Sequence, residues 1–219
     1  MSTGKSIAVL LVDDHAVVRE GYRRLLERCA EIAVVGEAAT AAEAHRAFCA
    51  LHPDVVVMDI SLPDVSGVEA IRRLMLREPR PRILVFSIHD EAIFPTRAIQ
   101  AGALGYVTKA SAPDVLVDAV RAVAQGEMFL SGDVAKTLAL RNVLRQDDAL
   151  RLLSDREFEI LRLFAQGHPP RDIAARLCLN YKTIANYQSI IKQKLGIRTP
   201  AELVRFATRN GLVSGSAAF

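Results

Sequence analysis

Three carboxylates, a hydroxyl and an ammonium stand out by where they fall in the chain. Asp13 and Asp14 follow a short apolar run, Asp59 and Ser87 close two others, and Lys109 lies just after a fourth. Three carboxylates held close together repel one another unless a cation joins them. Hard oxygen ligands with room for water suit Mg²⁺. A carboxylate beside Mg²⁺ can act as a nucleophile and become an aspartyl-phosphate. An ammonium and a hydroxyl would then meet the phosphoryl oxygens. The roles that follow make Asp59 the acceptor, with Asp13 and Asp14 holding Mg²⁺. Lys109 pairs with the phosphoryl group and Ser87 donates a hydrogen bond to it. An Asp pair after a strand also builds turns and caps, and Asp14, just before His15, is placed to cap a first helix.

The elements that must position these groups are legible as alternating patterns. Ile7–Val12, Ala33–Val35, Val55–Met58, Ile83–Phe86 and Gly105–Val107 are short runs rich in Val, Ile and Leu. Between them lie amphipathic stretches, among them Val18, Tyr22, Leu25 and Leu26, then Val68, Ile71, Leu74 and Met75, and later Val115, Leu116, Ala119, Val120 and Val123. Strands alternating with helices imply a parallel sheet covered on both faces. Right-handed crossovers favour an α/β doubly wound, five-stranded sheet. Ligands of such sheets sit at the carboxyl ends of the strands, near the reversal of strand order. The five polar residues all fall at that edge.

The strings Leu11-Val-Asp-Asp-His15, Val55-Val-Val-Met-Asp59-Ile-Ser-Leu-Pro63-Asp-Val-Ser-Gly67 and Gly102-Ala-Leu-Gly-Tyr106-Val-Thr-Lys109 resemble the receiver domains of two-component response regulators. The resemblance implies a flavodoxin-like strand order. It implies that Asp14 contacts Mg²⁺ directly, that Asp13 does so largely through water, and that the Ser61 carbonyl completes the metal site with Asp59. It also implies a switch in which Ser87 moves toward the phosphoryl group and the Tyr106 ring turns inward. Many receivers carry Pro after the lysine, where this chain has Ala110.

The C-terminal segment has a different grammar. Ser154-Asp-Arg-Glu157 is a capping box ahead of Phe158, Ile160, Leu161 and Phe164, and Gly167 is a natural stop. Pro170 can open a helix over Arg171–Leu177. Cys178-Leu-Asn180 then makes a tight turn into a helix over Tyr181–Leu195, and Thr199-Pro-Ala-Glu202 caps a fourth. On the third helix, Ile184, Tyr187, Ile191 and Leu195 share an inward face. The opposite strip carries Lys182, Ala185, Asn186, Ser189 and Gln193, with Lys192 at its flank. Short polar side chains there suit a major-groove reader. Arg171, Lys194 and Arg198 suit phosphates. Leu153-Ser-Asp-Arg-Glu157, Asp172-Ile-Ala174, Lys182-Thr183-Ile184 and Lys194-Leu-Gly196 resemble the LuxR-type helix-turn-helix, a four-helix all-α domain. With the receiver, the chain resembles the NarL/FixJ subfamily. Ala185 and Tyr187 depart from the family's usual Lys and His, so no known target sequence carries over.

Charge follows the same division. Residues 1–150 hold 17 Lys/Arg against 20 Asp/Glu, a net −3, and residues 151–219 hold 11 against 5, a net +6. A basic end attached to an acidic one points to nucleic acid at the basic end. No early apolar run approaches the ~20 residues of a membrane span, and Cys29, Cys49 and Cys178 form no paired or metal spacing. Together these features predict a cytoplasmic protein with a receiver over 1–127, a linker over 128–150 (a short helix and a tether) and a helix-turn-helix domain over 151–219. It would be a transcription regulator switched by a sensor histidine kinase at Asp59, and the resemblance implies that it acts on promoter DNA as a homodimer when active. It would be no enzyme beyond slow autodephosphorylation. A haloacid-dehalogenase-type phosphatase uses similar groups, but it needs a second Asp where Ser61 stands and places its acidic pair late. A regulator that binds DNA regardless of phosphorylation is the other alternative.

Overall fold

The computed structural model describes residues 6–77, 80–144, 148–210 and 212. The chain divides into two compact units, 1–144 and 145–219.

The first unit is a parallel sheet with helices between its strands. Its elements run β1 (Ile7–Val12), α1 (Ala16–Leu26), β2 (Ile32–Ala38), α2 (Ala41–Leu51), β3 (Val55–Met58), α3 (Gly67–Met75), β4 (Ile83–Ser87), α4 (Ile93–Gln100), β5 (Gly105–Thr108), α5 (Pro113–Ala124), β6 (Phe129–Leu130) and α6 (Gly132–Leu144). The strand order is β2-β1-β3-β4-β5-β6, so the order reverses between β1 and β3. The central strands β3, β4 and β5 are buried at every position, as continuous apolar runs require when helices cover both faces. One side of the core joins Val9, Leu11, Val57, Leu84, Phe86 and Val107 of the strands to Leu116, Val120 and Val123 of α5. Each such side chain contributes roughly 1.5–3 kcal/mol on burial.

The sheet has six strands, where five were expected. β6 is only two residues long, too short to register as an alternating run. Its register pairs Gly105 with Phe129 and Tyr106 with Leu130. Residues 128–144, expected within a linker, therefore carry a strand and a 13-residue helix. The first turn of that helix is tied to β5, where the Thr108 hydroxyl donates to Asp133 Oδ2 at 2.7 Å. Residues 145–147 of the expected tether lie outside the described residues.

The loop after β3 depends on one glycine. The Gly67 amide donates to the Ile60 carbonyl at 3.0 Å, and a Cβ at this position would lie 2.2 Å from Ile60 Cα. That neighbour is backbone and cannot swing aside. Gly67→Ala should therefore cost about 1–3 kcal/mol, visible as a fall of several degrees in melting temperature. A variant melting with the parent chain would show that the loop relaxes freely.

The second unit is helical. A short 3₁₀ turn (Asp148–Leu152) precedes α7 (Asp155–Ala165), α8 (Pro170–Arg176), α9 (Tyr181–Leu195) and α10 (Pro200–Arg209). Both capping boxes form, at Ser154/Glu157 and Thr199/Glu202. Asn180 Oδ1 accepts from the Thr183 amide at 2.8 Å, and Gly196 closes α9 in the left-handed conformation at φ 66°. Phe158, Ile160, Leu161, Ile173, Ile184, Ile191 and Leu203 are buried. No helix among the described residues is long and apolar enough to cross a membrane.

Candidate functional sites

Strand register brings the acidic groups together. Val12 of β1 stands opposite Met58 of β3, so Asp13 and Asp59 leave the sheet side by side, and the Asp59 amide donates to the Val12 carbonyl at 2.8 Å. Ser87 stands opposite Thr108, and the Lys109 amide donates to the Ser87 carbonyl at 2.7 Å. Lys109 thereby exits β5 aimed at the reversal point. Its Nζ lies 2.6 Å from Asp13 Oδ2 and 2.6 Å from Asp59 Oδ2. Asp13 and Asp59 are 6% and 4% exposed, so water screens this triad weakly. Burial alone would lower the Lys109 ammonium, but facing Asp59 and Asp13 it is raised above the ordinary lysine value. The ammonium therefore stays charged through neutral pH.

The second oxygens of the two aspartates are engaged locally. Asp59 Oδ1 accepts from the Ser61 amide at 3.0 Å, and Asp13 Oδ1 from the His15 amide at 2.8 Å. Asp14 is more exposed, with Oδ1 2.8 Å from His15 Nδ1. It does not cap α1: His15 is the N-cap residue and makes no side-chain capping bond. Asp13, Asp14 and His15 offer ligand atoms within 4.8 Å of one another. Asp59 joins them through Lys109.

Ser87 is fully buried at the end of β4, and its Oγ accepts from the His89 amide at 3.3 Å. The Tyr106 ring is also fully buried, and its hydroxyl donates to the His89 carbonyl at 2.7 Å. Burial pushes the Tyr106 phenol far above its ordinary value, so it serves only as a neutral donor. His89 was missed from the sequence. Its Nε2 lies 3.3 Å from Ser61 Oγ, and its ring stacks on Phe94 at 4.2 Å. The available signal was its position two residues beyond a strand-end serine, at the edge where ligands gather.

In the second unit, Lys182, Asn186, Ser189 and Gln193 are exposed, and Thr183, Ala185 and Lys192 are half-buried. Ile184 and Ile191 are fully buried on the opposite side, with Tyr187 and Leu195 partly so. Lys194 differs from its expected role as a phosphate partner. Its Nζ lies 2.9 and 2.7 Å from the two carboxylate oxygens of Glu157, a residue only 6% exposed. α9 packs against α7, and that contact turns the last-turn lysine toward the capping glutamate. Burial alone would raise the Glu157 carboxyl, but Lys194 and the Ser154 amide outweigh it and hold it below the ordinary range. This stabilisation is therefore complete above the ordinary glutamate value and is lost as pH falls through the lowered one. Glu157→Ala should cost about 2–3 kcal/mol at neutral pH, and the deficit should shrink toward acid. Melting curves across pH on both proteins check this; a deficit independent of pH would remove the ion pair from the account.

A doubly wound sheet with an acidic, lysine-bridged pocket at its reversal point, joined to a basic helix–turn–helix unit, defines a regulator that couples receiver chemistry to DNA. Residues 9–121 match the response regulator receiver domain, and residues 151–207 match the bacterial regulatory proteins of the luxR family. The chain is 38% identical over 212 residues to the response regulator GacA of Pseudomonas aeruginosa, covering 96% of this chain and 99% of that one. It is 37% identical over 209 residues to the response regulator UvrY of Escherichia coli, covering 94% and 95%. Among solved structures, RcsB of Salmonella enterica serovar Typhimurium, bound to a promoter in the presence of phosphomimetic BeF3−, superposes with a TM-score of 0.70 at 27% identity, covering 94% of this chain and all of that one. A LuxR-family two-component response regulator from Aurantimonas superposes with a TM-score of 0.62 at 46% identity, covering 64% of this chain and 99% of that one.

The chain belongs to the response regulators of the NarL/FixJ type, a receiver domain followed by a LuxR-type helix-turn-helix. It is a DNA-binding transcription regulator of a two-component system.

Proposed function

We propose that Asp59 is the phosphoacceptor and that a sensor histidine kinase is the donor. The supporting observation is the single ammonium, Lys109, at 2.6 Å from both buried aspartates. An Asp59 carboxylate oxygen attacks the phosphorus of a phosphohistidine. The P–N bond breaks, and the imidazole leaves carrying the electron pair and takes up a proton. Lys109 keeps its charge on the transferred group. Ser87, two residues before His89, is the hydroxyl that turns to a phosphoryl oxygen, and Tyr106 follows it as the switch.

The donor set of hard oxygens at Asp13, Asp14, Asp59 and the Ser61 carbonyl fits Mg²⁺, with the exposed side of Asp14 leaving room for water. When bound, Mg²⁺ would neutralise charge developing on the phosphoryl oxygens. No turnover is proposed beyond slow autodephosphorylation. We assign residues 1–127 to the receiver, 128–150 to a connection whose β6 and α6 pack with the receiver sheet, and 151–219 to DNA binding, with the active form a cytoplasmic homodimer on promoter DNA.

Lys182, Thr183, Ala185, Asn186, Ser189, Lys192 and Gln193 form the proposed DNA face. Asn186 and Ser189 are the exposed groups suited to base edges, and Asn186→Ala should weaken binding to a specific site roughly 5- to 150-fold. Lys182→Ala should weaken specific and non-specific DNA alike and flatten the salt dependence. The deciding experiment measures affinity for a mapped promoter at fixed salt, with and without acetyl phosphate. A rise in affinity on phosphorylation supports the switch. Equal affinity in both states would favour a regulator that binds regardless of it.

A further inference from the structure

α2 and α3 leave between them an open cavity of about 630 Å³, which none of Asp13, Asp14, Asp59, Ser87 and Lys109 lines. This lies within the size range of small-ligand pockets, roughly 300–1,000 Å³. Ala41, Ala70 and Leu74 make a buried apolar floor. Leu76 stands at the rim, 85% exposed, which is unusual for a leucine with an apolar floor beside it.

The polar rim is not balanced. Asp64 is the carboxylate among the lining residues, and its two oxygens are taken by the α2 amides of Ala41 and Ala42 at 3.0 and 3.1 Å. Arg73 is occupied by Glu69, Nε to Oε1 at 2.8 Å. Two other guanidiniums remain. Arg77 Nε donates to His45 Nε2 at 2.7 Å, which requires that ring nitrogen to be unprotonated. The imidazole thus orients Arg77 without cancelling its charge, and among the described residues no partner holds its terminal nitrogens. Arg46 follows His45 on α2, and among the described residues neither Arg46 nor Arg77 is paired with a carboxylate. Two guanidiniums with no carboxylate partner among the described residues, above an apolar floor, match one chemistry: an apolar body bearing a single carboxylate, phosphate or sulfonate.

We propose that this cavity is a binding site for a small amphiphilic organic anion, separate from the phosphorylation site. The concave floor favours a compact ligand over an extended acidic protein segment, which would lie across the rim and leave the floor empty.

The test titrates the full chain with anilinonaphthalene sulfonate, whose fused rings and single anionic group supply both features. Amide resonances report where it binds. Saturable shifts centred on Ala41, Ala42, Ala70 and Leu76 are expected. Arg46→Ala and Arg77→Ala should each weaken binding about tenfold. Both side chains are exposed, so these variants should keep the parent's melting curve. Leu76→Glu, which places a like charge at the rim, should abolish binding. Inorganic phosphate should compete only weakly, because it has no apolar body. Shifts centred elsewhere, no saturation, or affinity unchanged in both arginine variants would overturn the proposal. So would tighter binding of polyglutamate than of the dye, which would hand the surface to an acidic protein partner. None of these readouts depends on phosphorylation, so the proposed function and this one can fail separately.

Discussion

Asp59→Asn should take up no phosphoryl group from acetyl phosphate or from a phosphorylated kinase, while keeping its fold. The amide has the shape of the carboxylate but no nucleophilic oxygen anion. Its oxygen can still accept from the Ser61 amide, a bond of 3.0 Å in the parent, and Lys109 keeps its contact with Asp13 at 2.6 Å. Removing one of two acidic groups around one ammonium should change stability by less than about 1.5 kcal/mol. Intact-mass spectrometry after incubation with donor should show an adduct labile to hydroxylamine on the parent chain and none on the variant. Circular dichroism should superpose. DNA affinity of the variant should not respond to donor. A stoichiometric acyl-phosphate adduct on the variant would move the acceptor elsewhere and dismantle the proposed switch with it.

Lys109→Met should be the most destabilising single change at the site when divalent ions are chelated. It leaves Asp13 and Asp59, both nearly inaccessible to water, facing one another without a cation. Stranding buried charge in this way costs about 3–5 kcal/mol, read as a fall of roughly 10 °C in the melting temperature. Magnesium supplies the missing positive charge, so millimolar Mg²⁺ should restore more stability to the variant than it adds to the parent. Restored stability should not restore normal phosphorylation, because the ammonium that meets the transferred group is still absent. Melting scans of both proteins with chelator and with magnesium separate these effects. A variant that melts with the parent in chelator would show that the aspartates are not held by Lys109.

How much was legible from residue order depends on the length scale of each feature. Four strands announced themselves as runs rich in Val, Ile and Leu, and β5, Gly-Tyr-Val-Thr, by its place in the alternation just before Lys109; β6, at two residues, is too short to show a pattern. The capping boxes at Ser154 and Thr199 were readable because each is closed by groups three residues apart. His89 was not, because its partners Ser61 and Phe94 are met through the turn of a loop. Lys194 misled for a related reason. Basic residues on a DNA-binding helix suggest phosphates, and only the packing of α9 on α7 turns this one toward Glu157.

Residue order by itself determined the kinds of element, their succession, the charge division between the halves and the chemistry available at the strand ends. These are properties of local periodicity and of side-chain type. The tertiary structure decided which side chains touch. That Lys109 spans Asp13 and Asp59, that Thr108 binds α6, and that Arg46 and Arg77 stand over an apolar floor all depend on register and packing between segments far apart in the chain. Local pattern energies cannot encode such contacts, because they exist only once the sheet has paired and its helices have docked.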